Sequence, residues 1–212
     1  MLSQSARKDA KFWNRIAKRY SNKPVPDQRV YDEKLTRSDA YLSTDYQVLE
    51  LGCGTGSTAL HHAPKVKHIL ATDISDSMIA IAEEKASAAG ITNVNFEIAT
   101  IDDVINTAQT FDVILAHSLL HLLQNPDVEI QKIRTLLNSG GLLITSTPCI
   151  SEFMPLMRYV FPLGRFVGLM PYIGVFSEAQ LHTWFTDAGF ELEERWLPAP
   201  KSGVYLVHRL IS

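Results

Sequence analysis

A short stretch near residue 50 constrains the fold more than any other part of the chain. The apolar run from Val48 to Leu51 is followed by glycine at every second position, Gly52, Gly54 and Gly56. Because glycine has no Cβ, such a loop can adopt positive φ and bring its peptide groups close to a ligand. A helix predicted from about Ser57 would point its unpaired N–H groups at the same place. The pattern predicts a strand, a ligand-binding loop and a helix.

The spacing of the glycines distinguishes between two ligand classes. The dinucleotide fingerprint is Gly-x-Gly-x-x-Gly, whose third glycine lies inside the helix. In this chain the third glycine, Gly56, comes one residue earlier. The spacing therefore favours S-adenosylmethionine over a dinucleotide.

The rest of the chain alternates between strand and helix patterns. Such alternation is typical of an α/β doubly wound, mostly parallel sheet. No helix pattern separates the final two strands, which are therefore predicted to be antiparallel neighbours. The predicted strands are 48–51, 66–72, 94–98, 111–116, 142–146, 190–197 and 204–210.

The first 45 residues are predicted to form a helical cap on a single domain that spans residues 1–212. Apolar residues recur at helical spacing between residues 6 and 23, and Pro24 and Pro26 end that helix. A second helix is predicted over residues 30–42. A chain of 212 residues is long enough to bury one good core.

Asp73 is the most specific single position after the glycines. It follows the second predicted strand, about 20 residues beyond the loop, where an acidic side chain can accept both ribose hydroxyls of an adenosine cofactor. The alternative is that Asp73 caps the next helix, but Ser75 and Asp76 can fill that role.

The stretch Val48–Gly56 resembles motif I of the class I S-adenosylmethionine-dependent methyltransferases, in particular those that act on small molecules. The resemblance implies a Rossmann-like, seven-stranded sheet whose last strand is antiparallel. It also implies that Tyr20 closes over the cofactor and that Met78 contacts adenine. Relatives carry Gly-Asp-Ala where this chain has Ala99-Thr100-Ile101, so adenine recognition could rest on Ile101 or Asp102 instead. The predicted cofactor-binding residues are Tyr20, Glu50, Gly52, Cys53, Gly54, Gly56, Asp73, Ile74, Met78, Thr100, Ile101, Asp102, Ala116 and His117.

Two histidines follow the fourth predicted strand, where ligands of doubly wound folds bind. His117 and His121 are predicted to be catalytic, as proton acceptors or positioning groups for the methyl acceptor, and they would share a face if this segment were helical. The alternative is that each is a structural histidine. No metal site is predicted, because Cys53 and Cys149 lack metal-ligand spacing. Reduced thiols are typical of a cytoplasmic protein.

Residues 149–176 form an apolar insertion after the fifth predicted strand. Pro155, Pro162 and Pro171 are expected to divide it into short pieces, so no transmembrane segment is predicted. The insertion could be a lid over a hydrophobic or aromatic acceptor, or it could form a homodimer contact. As part of a lid, Arg158 and Arg165 could hold an anionic group of the acceptor.

The predicted function is methyl transfer from S-adenosylmethionine to a small, hydrophobic or aromatic acceptor. The nearly even charge and the segment after the fourth strand do not favour a nucleic-acid partner. Two alternatives remain: a non-catalytic methyltransferase-like binding subunit, and a nucleotide-dependent oxidoreductase.

Overall fold

The computed structural model describes residues 4–166, 168–199 and 202–211. Val167, which belongs to the predicted apolar insertion, lies outside the described residues. The strands form a seven-stranded sheet in the order β3-β2-β1-β4-β5-β7-β6. Their bounds are β1 Gln47–Leu51, β2 His68–Asp73, β3 Val94–Ile98, β4 Phe111–His117, β5 Leu137–Pro148, β6 Phe190–Trp196 and β7 Gly203–Leu210.

Helices connect most of the strands. None of the described helices is both long and apolar enough to cross a membrane. Within the described residues, three short 3-10 turns occupy residues 63–65, 120–122 and 150–152. The α-helices are α1 Gln4–Ser21, α2 Gln28–Asp39, α3 Ser57–His62, α4 Asp76–Ala89, α5 Ile101–Ile105, α6 Pro126–Arg134, α7 Met157–Phe166 and α8 Glu178–Asp187.

The strand pairing confirms the predicted α/β fold class. β1 pairs in parallel with β2, β2 with β3, and β4 with β5. β7 runs antiparallel to both β5 and β6, as the missing final helix predicted. In β4, Val113, Ile114 and Leu115 are all 0% exposed, as expected for a central strand of a sheet covered on both faces.

The chain divides into two compact units, one ending at Thr100 and the other beginning at Ile101. The first unit contains β1 to β3, and its helix α1 packs against α4. The second unit contains β4 to β7, and its helix α6 packs against α8. The single domain inferred from the sequence stays a prediction.

Local sequence signals explain several helix ends. Ser75 caps α4 by accepting a hydrogen bond from the Met78 N–H, and Gly90 ends the same helix with a φ of 66°. A capping box starts α8, where the side chains of Ser177 and Gln180 each accept a hydrogen bond from the other's backbone N–H. Both signals are local, so the sequence alone was sufficient to locate them.

Two local predictions are wrong. The fifth strand was predicted to begin at residue 142, but it begins at Leu137, so Gly140 and Gly141 lie inside it. The pairing of β4 with β5 is irregular near its start, which accommodates the extra residues around the glycines. Pro162 was expected to separate two short pieces of the apolar insertion, but it lies inside α7. Because α7 is exposed, water can bond the carbonyl that the missing N–H leaves free.

Candidate active site

The glycine loop joins β1 to α3 in the first unit. Gly52, Gly54 and Gly56 have φ angles of 68°, 53° and 75°, the left-handed region that favours glycine. The Cys53 N–H donates to the Thr72 carbonyl at 2.9 Å, which fixes the loop against the end of β2. The predicted turn chemistry is therefore present at each of the three glycines.

The side chain of Asp73 holds this loop from the end of β2. Its Oδ2 accepts a hydrogen bond from the Gly54 N–H at 2.9 Å, and its Oδ1 accepts one from the Ser75 N–H at 2.9 Å. Burial raises the pKa of Asp73, and these backbone hydrogen bonds oppose that rise. Each carboxylate oxygen can accept a further bond, so Asp73 can both shape the loop and accept hydroxyl groups of a ligand.

The three glycines have different surroundings. A Cβ on Gly56 would lie 2.7 Å from the Ala82 Cβ and 2.8 Å from a ring atom of Phe96. A Cβ on Gly54 would meet nothing within 4 Å. Gly56 is therefore required for close packing within the protein, whereas the space beside Gly54 is open to a ligand.

A lysine that the sequence pattern did not single out fixes the other side of the loop. The Lys85 ammonium, on α4, donates to the Thr55 carbonyl at 3.1 Å and to the Thr55 hydroxyl at 2.9 Å. It also donates to the Ser57 hydroxyl at 3.1 Å. These bonds link α4 to the start of α3, so the loop is held in place at both ends.

Glu50 is the buried acidic residue of the motif and is only 3% exposed. Its Oε2 has no hydrogen-bond partner among the described residues. Burial raises the pKa of Glu50 to about 8, and the charge of Lys34 on α2 opposes that rise. Burial lowers the pKa of Lys34 to about 8, against the pull of Glu50. The motif identified Glu50, but nothing in the spacing of α2 identified Lys34.

Helix α1 brings a further predicted residue to this region. Partial burial raises the pKa of Tyr20, and the negative charge of Asp73 raises it further. Asn14 accepts a hydrogen bond from the Ser75 hydroxyl, which connects α1 to the start of α4. Tyr20 remains 52% exposed. Its position is consistent with closing over a ligand, and that role stays a prediction.

The remaining predicted residues of the first unit differ in exposure. Cys53 is buried and Met78 is only 2% exposed, which favours a packing role for the methionine. Ile74 and Thr100 are half-buried at the ends of β2 and β3. Contacts of these four residues with a cofactor stay predictions.

The second unit contains the other predicted cofactor-binding residues. Ile101 is 7% exposed and Ala116 is 0% exposed. The Asp102 carboxylate forms an ion pair with the Lys132 ammonium at 2.7 Å, so it is engaged on α6. This ion pair argues against Asp102 as the substitute that recognises adenine, and it leaves the backbone of Ile101 as the simpler hypothesis.

The two predicted catalytic histidines do not share a helical face. His117 is the last residue of β4, Ser118 has a φ of 53°, and residues 120–122 form a 3-10 turn. The helical segment that would have given them a shared face is not present, because Ser118, with its positive φ, turns the chain directly after β4. The catalytic role of the two histidines stays a prediction. His117 is buried and stacks on Tyr205 with ring centroids 6.3 Å apart. Burial lowers the pKa of His121 to about 4, so it is neutral at pH 7.

The apolar insertion is anchored at both ends and exposed in the middle. The Ser151 N–H donates to the Phe176 carbonyl at 3.3 Å, and the Gly174 N–H donates to the His121 carbonyl at 2.7 Å. None of the described residues of α7 is buried. The apolar stripe, as we call the exposed residues at helical spacing in this segment, consists of Leu156, Tyr159, Val160, Leu163, Phe166 and Leu169.

One cluster could hold a metal ion, although the sequence predicted no metal site. Ligand atoms of Asp39, His61 and His62 all lie within 4.8 Å of one another. The Asp39 carboxylate accepts hydrogen bonds from the His62 Nδ1 at 2.8 Å and the His61 Nε2 at 3.0 Å. The Lys65 ammonium also lies 3.1 Å from the Asp39 Oδ2, where it would repel a cation. The cluster joins α2 to α3 without a metal, and the absence of a metal cofactor stays a prediction.

A family model described as a methyltransferase domain matches residues 42–189, which is more than half of the chain. This chain belongs to that family. The match confirms the assignment that the glycine loop had indicated, the class I S-adenosylmethionine-dependent methyltransferases. S-adenosylmethionine is therefore the cofactor assigned to the fold, and three observations fit it: the open space beside Gly54, the carboxylate of Asp73 and the unpartnered Oε2 of Glu50.

Individual relatives of this chain are distant. A malonyl-[acyl-carrier protein] O-methyltransferase of Paenibacillus is 27% identical over 164 residues, covering 74% of this chain and 59% of the relative. A ubiquinone biosynthesis O-methyltransferase of Coxiella burnetii is 31% identical over 151 residues, covering 68% of this chain and 63% of the relative. The chain thus spans about three fifths of the length of these two relatives. The solved DhpI–SAH complex has the same fold, with a TM-score of 0.75, 20% identity and 99% of each chain covered.

Proposed function

We propose that this protein transfers the methyl group of S-adenosylmethionine to an oxygen atom of a small, hydrophobic acceptor. The observation that carries the proposal is the hydrogen bond between Asp73 and the glycine loop. One carboxylate oxygen of Asp73 accepts this bond from the Gly54 N–H at 2.9 Å. This arrangement presents an acidic side chain and open glycine backbone side by side. Both are needed to bind the ribose and the adjoining part of an adenosine cofactor.

The cofactor, when bound, supplies a methyl group already activated by a sulfonium. The protein therefore has mainly to bind, orient and exclude water. Asp73 would accept the ribose hydroxyls, and Glu50 would accept a hydrogen bond from a cationic group. The bonds from Lys85 to Thr55 keep the loop rigid, so these groups need little rearrangement when a ligand binds.

The choice of oxygen rests on the printed names of two relatives, both O-methyltransferases. The choice of a hydrophobic acceptor rests on the second unit. There the apolar insertion that carries the exposed stripe is anchored near its end by the hydrogen bond from the Gly174 N–H to the His121 carbonyl. Exposed apolar surface of this extent marks a binding surface more often than a plain exterior. Arg158 and Arg165 lie on the same helix, so an acidic group on the acceptor would find a counter-charge.

The histidines retain a role in this proposal as groups that contact the acceptor. A neutral imidazole can accept a hydrogen bond from a hydroxyl group and hold the oxygen for attack. His121 has a buried Nδ1 with no hydrogen-bond partner in the described residues. Its lowered pKa, about 4, makes it a weak base at neutral pH. We therefore assign it positioning of the acceptor rather than full proton abstraction.

Binding of the product S-adenosylhomocysteine tests the cofactor site. Asp73→Asn should weaken its affinity at least tenfold, because a hydrogen bond to a charged group contributes about 1.5–3 kcal/mol. Gly54→Arg should abolish binding, because its side chain would fill the open space. The matched control is Asp76→Asn, an exposed carboxylate three residues further along the chain. Calorimetric titration that gives equal affinities for all three variants and the parent would rule out this site.

The same titrations separate the alternatives. NAD binding in place of S-adenosylhomocysteine would indicate a nucleotide-dependent oxidoreductase. Tight S-adenosylhomocysteine binding without transfer of labelled methyl groups to any phenol or carboxylic acid would favour a non-catalytic binding subunit. Free, buried cysteines such as Cys53 and Cys149 are usual in a reducing compartment, so the cytoplasm is our proposed location.

A further inference from the structure

Helix α1 concentrates positive charge on one side. Successive residues of an α-helix are rotated by about 100° about its axis, so spacing along the sequence gives the side on which each residue lies. Between residues 7 and 19, every residue within one arc of about 120° is basic, and all six are exposed. The basic arc, as we call this set, consists of Arg7, Lys8, Lys11, Arg15, Lys18 and Arg19.

The other side of α1 is held against the protein. Ala10 and Ala17 are 7% and 2% exposed, and α1 packs on α4. The Asn14 side chain accepts a hydrogen bond from the hydroxyl of Ser75, the residue that caps α4. These contacts fix the rotation of α1 about its own axis, so the basic arc faces away from α4. At a rise of 1.5 Å per residue, the arc is about 18 Å long.

The charge of the basic arc is not neutralised by its surroundings. Residues 1–23 carry seven lysines and arginines and one aspartate, a net charge of +6, so the remaining residues carry −9 within the total of −3. The single acid, Asp9, lies outside the arc. The side chains of Lys8, Lys11 and Lys18 form no ion pair with any described residue. A strongly anionic surface would therefore attract this helix and repel the net charge of the remaining chain.

The composition of the arc favours a lipid surface over other anionic partners. Single-stranded nucleic acids are bound by basic residues interleaved with aromatic ones on which the bases stack. Protein interfaces have an apolar or aromatic centre that is poor in lysine. The arc has no aromatic and no apolar residue, and three of its six members are lysine. Clusters of four to eight basic residues on an amphipathic helix are typical of binding to anionic lipid headgroups, which requires charge but no pocket.

We propose that the basic arc docks this protein on the anionic headgroups of a lipid bilayer. Six cations on one fixed helix approach a flat anionic layer together, so little backbone freedom is lost on binding. The contact is electrostatic, because the apolar side of α1 is turned towards α4 and does not enter the hydrocarbon. The inference goes beyond the proposed function and does not depend on it, although a hydrophobic acceptor would itself partition into the bilayer.

Co-sedimentation of the full chain with vesicles measures this docking without an activity assay. Vesicles of phosphatidylcholine alone are compared with vesicles that contain about 30% phosphatidylglycerol, at about 0.1 M salt. The parent protein should bind the anionic vesicles at least tenfold more tightly than the neutral ones. Raising the salt to about 0.5 M should release it, because the range of the charges is then shortened.

The double variant Lys11→Gln with Lys18→Gln removes two charges from the middle of the arc. Each basic residue near an anionic surface strengthens binding about fivefold, so the variant should bind anionic vesicles at least tenfold more weakly. Glutamine favours a helix about as well as lysine, so the melting temperature and S-adenosylhomocysteine affinity should stay those of the parent. The matched control, Arg29→Gln with Lys67→Gln, changes two exposed residues outside α1. It alters the net charge equally and should change vesicle binding less than about twofold.

Equal binding of the parent to neutral and anionic vesicles, or binding to neither, would overturn the inference. So would equal losses in the double variant and the control, which would mean that only net charge matters. A short DNA or RNA duplex offered at the same salt supplies a third contrary result. If the parent bound it more tightly than anionic vesicles, and only the double variant lost that binding, the arc would be a nucleic-acid surface. Binding of S-adenosylhomocysteine tests the proposed function separately from all of these outcomes.

Discussion

At the scale of single residues, two buried histidines and the half-buried His121 make the protein sensitive to acid. Burial lowers the pKa of His62 and His121 to about 4 and that of His208 to about 3. In the unfolded chain these imidazoles would take up protons near their ordinary pKa of about 6.5. The stability that they contribute is therefore complete above pH 6.5 and is lost as pH falls towards 4. Protonation of the folded protein would place charges in its core.

His208 offers the clearest test of this effect. It is 1% exposed and stacks on Phe185 with ring centroids 3.9 Å apart, and its Nδ1 has no hydrogen-bond partner among the described residues. His208→Leu preserves an apolar side chain of similar volume, so it should change the free energy of unfolding at pH 8 by less than about 1.5 kcal/mol. As the pH falls below 6, the free energy of unfolding of the variant should rise relative to that of the parent, by up to about 1.4 kcal/mol per pH unit.

Urea unfolding at pH 8, 6, 5 and 4 measures this difference directly. The pH 8 comparison is the internal control, because there the imidazole is neutral in both the folded and the unfolded parent. A difference in the free energy of unfolding between parent and variant that stays constant from pH 8 to pH 4 would contradict this account. A difference that widens only on the acid side would support it.

At the scale of elements, the corner from β1 to α3 combines a packing role and a ligand-binding role in neighbouring glycines. Gly56→Ala would place a methyl group 2.7 Å from the Ala82 Cβ, so α4 would have to shift. We expect a loss of about 1–3 kcal/mol from overpacking, in addition to the cost of positive φ. Gly54→Ala should lose only about 1 kcal/mol, from backbone conformation.

Ligand binding should reverse the order of the two variants. The methyl group of Gly54→Ala projects into open space, so it should weaken S-adenosylhomocysteine binding more than it weakens folding. Gly56→Ala should do the opposite. Paired denaturant melts and titrations would check both expectations, and Gly90→Ala, with positive φ and open surroundings but outside the loop, is the matched control. Equal effects of the two loop variants on folding would contradict the assignment.

Sequence patterns predicted the elements well where the signal was local. The glycine loop, the cap formed by Ser75 and the capping box at Ser177 depend on neighbouring residues, and all three are present. The failures depend on distant contacts or on one strained residue. Gly141 packs against the backbone of Asp112 on another strand. Ser118 adopts a positive φ, which a serine in the sequence does not predict.

The candidate site was predictable to the same degree and for the same reason. Asp73 and the glycines belong to a recognisable spacing, so the sequence identified them. Lys85 reaches the loop from α4, and only the folded chain brings it there. The charge of Lys34 on α2 interacts with that of Glu50 in β1, and only the folded chain brings these two charges within range. Long, flexible side chains carry little positional information in sequence. The ion pair between Asp102 and Lys132 could not be predicted from the sequence for the same reason.

At the scale of the whole molecule, the apolar stripe is the feature whose exposure demands a partner. Phe166 is 87% exposed and Tyr159 is 74% exposed, on a helix with no buried residue among those described. Removing such side chains from water would contribute about 25 cal/mol for each Å² of apolar surface buried. The stripe can bury this surface against an acceptor or against a second copy of the chain. Because none of the described residues of α7 is buried, the exposed side chains of the stripe can be changed without removing contacts of the core.

The double variant Leu163→Ser with Phe166→Ser distinguishes these two partners. If the stripe binds the acceptor, the KM for a hydrophobic phenol or fatty acid should rise at least tenfold. S-adenosylhomocysteine affinity and the melting temperature should not change, because neither side chain is buried. Val128→Ser on α6, which removes an apolar side chain that is 47% exposed elsewhere, is the control and should leave KM unaltered.

Limited proteolysis between Met154 and Tyr172 should slow when cofactor product and acceptor are both present. Sedimentation tests the homodimer alternative. If the parent is a dimer and the double variant is a monomer with an unchanged KM, the stripe is a homodimer contact. The argument for a hydrophobic acceptor would then be lost.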